Sequence, residues 1–172
     1  MAEKYFLPRA AYPEEVGVSG VEIEKFFTDI EENDVNIHSF MVLRHGVVAA
    51  ECYRSPFSSD KPHALYSVSK TFNKSKGHWI ESFFSFPWKS APGEEFKYVS
   101  ENIYMLCAIL VKVTGMSVRD YLQPRLFEPL GIDYPNWETD ENGIEAGGWG
   151  LYATTEDVAK LMLCIHQKGV FN

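Results

Sequence analysis

Cysteine is scarce in this sequence and follows no pattern. Cys52, Cys107 and Cys164 lie far apart with no CxxC pair, which argues against a disulfide framework or a thiolate zinc site. Buried free thiols in a reducing compartment are expected instead. Long apolar runs are also missing. The opening stretch MAEKYFLPRA is charged, so neither a signal peptide nor a spanning helix of about twenty apolar residues is expected, and the expected location is cytoplasmic. Positive charge is in deficit, with 16 Lys and Arg against 24 Asp and Glu and a formal net charge of -8. That balance offers nothing to nucleic acid or to an anionic membrane surface. His38, His45, His63, His78 and His166 show no ligand spacing, and no glycine loop of the phosphate-cradling kind occurs, so neither a metal nor an organic cofactor is expected.

What is present reads as a globular chain. Hydrophobic residues make up 45% and charged residues 23% of 172 positions, enough to bury a real core. Aromatics reach 15%, which fits either a ring-lined cavity or an aromatic-rich core.

The residue pattern predicts the elements. Residues 1–18 carry Pro8, Pro13 and Gly17 and read as an irregular leader lying over the domain. Ser19 with Glu22 opens a helix whose apolar face is Val21, Ile23, Phe26, Phe27 and Ile30. Two strands, residues 38–44 and 47–53, join through His45-Gly46 as a hairpin. Apolar spacing predicts a helix over 104–113 stopped by Gly115 and a second over 118–127 started by Ser117 and Asp120. Residues 133–150 read as loop, with the acidic run Glu138 to Glu145 solvated or rimming a pocket. Thr155, with Glu156 and Asp157, is expected to cap a last helix through His166.

One short motif carries chemistry. Ser67-x-x-Lys70 puts a hydroxyl and an amine on one face of a helix, within hydrogen-bonding reach. Serine needs a base to attack a carbonyl at neutral pH, and a lysine can be that base where burial lowers its pKa. Leu65, Tyr66, Val68 and Phe72 supply apolar neighbours. Such a motif is weak alone, because chance produces it about once in a chain of this size.

The flanking sequence adds specificity. The segment Pro62-His63-Ala64-Leu65-Tyr66-Ser67-Val68-Ser69-Lys70-Thr71-Phe72 resembles the nucleophile segment of serine hydrolases of the β-lactamase and penicillin-binding-protein kind, including β-lactamase-related esterases and 6-aminohexanoate-dimer hydrolases. The stretch Pro92 to Asn102, with Tyr98, is similar to that family's second motif. Thr114 to Ser117, Leu126 to Gly131, Gly147 to Leu151 and Thr154 to Asp157 match in order. The resemblance implies an α+β fold of the β-lactamase/transpeptidase type, an antiparallel sheet flanked by helices. It implies Ser67 as nucleophile, Lys70 as its base, and Tyr98 as second base or proton shuttle to the leaving group. Ser100 and Asn102 are candidates to hydrogen-bond the Lys70 amine or a substrate amide, with Ser100 equally placed to cap the helix that follows. Trp149 either lines the acyl side of the pocket or packs beneath the glycine loop. The substrate implied is a small ester, a linear amide or a β-lactam.

Two departures from the family pattern set further expectations. Ser67 and Tyr98 stand closer in sequence than in relatives, and the polar stretch Asn73 to His78 replaces the apolar continuation of the nucleophile helix. Residues 1–172 are therefore expected to form a single but incomplete β-lactamase-like domain. Part of the helical region would be absent near 72–78, and the C-terminal strands, with a third motif and the second oxyanion-hole donor, absent after 172. Such a hairpin would be a two-stranded ribbon with an exposed apolar edge, inviting a second copy or a strand-donating partner. A rival reading follows: a catalytically inactive homologue or fragment that works as a binding protein through that edge.

Overall fold

The computed structural model describes residues 6–65, 79–85, 87, 90, 91, 93–96 and 98–171. Helices and two small two-stranded sheets give a mixed α+β arrangement. The chain divides into two compact units, Met1–His63 with Pro129–Ile132 and Ala153–Asn172, and Ala64–Glu128 with Asp133–Tyr152.

In the first unit, α1 (Gly20–Glu32) starts where expected, with Ser19 Oγ accepting from the Glu22 N–H at 3.3 Å. The hairpin forms as expected, β1 (Ser39–Arg44) pairing antiparallel with β2 (Val47–Tyr53). His45 and Gly46 turn the chain at φ 54° and 77°, the left-handed pair that a tight hairpin needs. Phe26 and Phe27 of α1 lie 5.0 and 5.1 Å from the Phe40 ring, so the aromatic face of the helix packs on the strand.

The outer edge of β2 is covered by the leader. The leader is an added strand-like segment: Val48 N–H donates to Pro8 O at 2.8 Å and Ala10 N–H to Val48 O at 3.0 Å. The leader is then fastened by α5 (Thr155–His166), whose Glu156 accepts from Leu7 N–H at 2.7 Å and from Arg9 at 2.7 Å. Leu7 is buried as a result. The cap of α5 is Thr154, one residue before the expected Thr155. Thr154 and Asp157 exchange hydrogen bonds in a capping box, because Asp157 at the third helical position can reach back to the Thr154 N–H.

The second unit is built on α3 (Ser100–Thr114), with α2 (Trp79–Ser85), α4 (Val118–Leu122) and the loop from Asp133 to Gly150 around it. The short strands β3 (His63–Leu65) and β4 (Leu151–Ala153) pair at its margin. Neither these strands nor α2 is predicted by the residue pattern. Gly115 ends α3 in the left-handed conformation, as expected, at φ 71°. The helix expected over 118–127 is only partly regular. After α4 the chain widens into one turn over Gln123–Phe127, closed by Glu128 N–H on Gln123 O at 2.8 Å. Pro124 has no N–H to continue the ordinary ladder, which accounts for the wider turn.

Candidate active site

The core of the second unit is Tyr104, Cys107 and Ala108 of α3 with Val118 and Ile144, flanked by Trp79, Trp137 and Trp149. α3 thus turns one face inward, and its buried residues begin at the very first turn with Ser100 and Glu101. The chain enters that turn through an extended Val99, at φ -138° and ψ 113°. Val99 occupies the cap position, so Ser100 is the first helical residue and does not cap the helix. Tyr98 precedes it and is 67% exposed, following a Phe96 that is 91% exposed. Asn102 is exposed on the outer side of the same turn.

The glycine loop closes on this turn. A Cβ on Gly148 would lie 3.0 Å from Ser100 O, and one on Gly147 would lie 2.7 Å from Cys107 Sγ and 3.1 Å from Ile103 O. Only glycine permits so close an approach, and Gly147 also needs it for its φ of 71°. Of the two roles weighed for Trp149, its position fits packing: the indole lies 5.3 Å from Trp79, and Trp149 O accepts from Trp137 Nε1 at 3.0 Å. Ser67 and Lys70 lie outside the described residues, as do the Pro92 and Lys97 that neighbour Tyr98.

Glu138 and Glu141 of the acidic run are exposed, as a solvated loop expects, but Asp140 and Glu145 are buried. Asp140 Oδ1 accepts from the N–H groups of Asn142 and Ile144, at 2.9 and 2.8 Å, and Oδ2 accepts from Tyr104 Oη at 2.7 Å. Glu145 is fully buried. Its carboxylate accepts from the Val118 N–H at 2.9 Å and from Arg119 Nε at 2.9 Å, capping α4 from outside. Two carboxylates therefore nail the loop to α3 and α4, and the glycines that touch Ser100 are the end of that loop. Sequence reasoning missed both, because a run of acids and turn residues carries no sign of which carboxylate will find buried donors.

Burial, helped by the charge of Glu145, pushes the Cys107 thiol up to about 11. It is a packed side chain rather than a competing nucleophile. Burial and the Asp140 carboxylate likewise push the Tyr104 phenol above its ordinary value, so this tyrosine stays neutral. Among the described residues, no group of three His, Cys, Asp or Glu side chains could hold a metal ion. Among them, too, no single helix is long and apolar enough to cross a membrane.

A family model described as Beta-lactamase matches residues 79–170, more than half of the chain. The chain belongs to the β-lactamase family. The matched stretch takes in Tyr98, Ser100, Asn102 and the Gly147 to Gly150 loop, and begins after Ser67 and Lys70. No curated protein matches the chain.

Proposed function

We propose that this protein is a serine hydrolase that opens an ester or amide carbonyl through an acyl-enzyme on Ser67. Lys70 takes the Ser67 proton as Oγ attacks the carbonyl. Collapse of the tetrahedral intermediate breaks the bond to the leaving group, which receives a proton from the Tyr98 phenol or the Lys70 ammonium. Water then attacks the acyl-serine as the same base takes its proton and passes it to Ser67 Oγ when the acyl–oxygen bond breaks, and the acid departs. The proposed substrates are small esters, linear amides or β-lactams, handled in the cytoplasm without a cofactor.

Family membership supports this reading, and so does one feature of the geometry: the exposure of Tyr98 at the head of α3, where the Gly147 to Gly150 loop closes. A proton shuttle must reach substrate, and a phenol presented to solvent from the end of a rigid helix can do so. A fluorophosphonate probe tests the assignment by labelling Ser67 in the full chain. Ser67→Ala abolishes labelling if the reading holds. Labelling that survives Ser67→Ala sinks it. Tyr98→Phe, which keeps the ring, lowers turnover by about 10²–10⁴-fold, as loss of a general acid–base group does.

A further inference from the structure

The helix α3 is apolar on two opposite sides. Tyr104, Cys107 and Ala108 on its inward side are buried in the core of the second unit. On the outward side Leu106, Ile109 and Val113 are 61%, 54% and 79% exposed. Spacings of three and four residues set them in one row down the helix. Ile103 and Met116, also exposed, extend the row at its two ends. A helix at a protein surface turns polar residues to water, whereas one that is apolar all round is covered all round. Among the described residues nothing covers this row.

The row has the size and the charge pattern of a contact between two copies. Its apolar side chains bare on the order of 500 Å², the size of patch that marks an interaction site and more than half of the about 800 Å² that one partner buries in a standard complex. Asn102, Lys112 and Thr114, exposed beside it, supply a polar rim. Lys112 is the exposed charge of α3 and stands toward its C-terminal end, while Glu94 and Glu95 are exposed in the segment leading into its N-terminus. Two such helices laid antiparallel oppose their dipoles and turn the acidic end of each toward the basic end of the other.

From this we infer that the chain pairs with a second copy through the outward face of α3, helix against antiparallel helix about a two-fold axis beside Ile109. In that register Leu106 of each copy faces Val113 of the other, and Ile109 meets its own counterpart. One surface serves both partners, so the assembly closes at two copies. A lipid surface is the rival apolar occupant. The formal net charge of -8 disfavours it, because a helix that lies on an anionic bilayer needs a cationic rim, and this row has Lys112 alone on α3.

The test uses the full chain. Sedimentation equilibrium over a concentration series gives a mass that rises to twice the 19.6 kDa of one chain. Leu106→Lys with Val113→Lys puts like charges into the contact and raises the dissociation constant at least about tenfold. Both side chains are exposed, so the far-UV circular dichroism of the double variant stays that of the wild type. Ile109→Cys, mildly oxidised, links to the same position of the second copy, as read by peptide mass after digestion. Should the double variant lose its helical signal, that link still decides. A wild type that stays at the mass of one chain overturns the inference, as does a dimer indifferent to the two lysines. A dimer that Ile109→Cys fails to link overturns it too, since the contact then lies elsewhere. Binding of a monomeric wild type to phosphatidylcholine vesicles, lost in the double variant, overturns it in favour of a lipid surface.

Discussion

Tyr104 Oη, on a side chain with no exposed surface, donates a 2.7 Å hydrogen bond to Asp140 Oδ2. The same carboxylate accepts the N–H groups of Asn142 and Ile144. One side chain of α3 thereby orients the residue that shapes the loop, and the loop in turn delivers Gly147 and Gly148 to the first turn of α3. Tyr104→Phe leaves Asp140 with its two backbone donors and costs about 1–2 kcal/mol. Asp140→Ala strands the Tyr104 hydroxyl and both backbone N–H groups and costs more, about 2–4 kcal/mol. Urea denaturation of the two variants should rank them in that order.

Glu145 is the second anchor, and its two jobs can be separated. Glu145→Gln keeps an acceptor for the Val118 N–H but leaves Arg119 without its counter-charge. Glu145→Ala removes both and leaves a buried N–H unpaired. We expect a loss of about 1–2 kcal/mol for the first and about 3–5 kcal/mol for the second. Equal losses in equilibrium unfolding would show that the helix cap contributes nothing.

The glycine loop predicts a graded steric effect. Gly148→Ala brings its Cβ to 3.0 Å from Ser100 O, an overpacking that costs about 1–3 kcal/mol. Gly147→Ala is worse, because the clash with Cys107 Sγ adds to a left-handed φ of 71°. Thermal melts should show the larger shift for Gly147→Ala. Cys107→Ser, by keeping the volume, should not rescue it, whereas Cys107→Gly should do so in part.

Acid sensitivity should come in part from the strap on the leader. Burial pushes the Glu156 carboxyl up, but its hydrogen bonds to Arg9 and to the Leu7 N–H, with the Arg9 charge, outweigh that and hold it below its ordinary value. A carboxyl whose pKa is lower in the folded than in the unfolded chain stabilises the fold above the unfolded value, about 4.3. That stability is lost as pH falls through the lower folded value. The urea midpoint of the wild type therefore falls as pH drops below about 4.3, and Glu156→Gln flattens that fall. A variant with an unchanged slope over that window would place the acid sensitivity elsewhere.

The hairpin, α1, α3 and α5 were legible because each is decided locally. The period of apolar residues, the Ser19 cap, the turn at His45-Gly46 and the stop at Gly115 involve only near neighbours in sequence. Tyr98, Ser100, Asn102 and Trp149 could be singled out by their order and flanks, which match the family pattern. Their separation into an exposed phenol, a buried hydroxyl, an exposed amide and a packed indole could not, since burial depends on what folds over them.

The sequence by itself determined the family, the order of helices and the hairpin, and the serine, lysine and tyrosine on which the proposed chemistry rests. Only the tertiary structure decided that the leader pairs with β2 and that Asp140 and Glu145 are interior anchors. The reason is physical. A helix or hairpin is favoured by neighbours a few residues away, whereas a carboxylate is made costly or useful by donors brought to it from elsewhere in the chain, and no local pattern records their arrival.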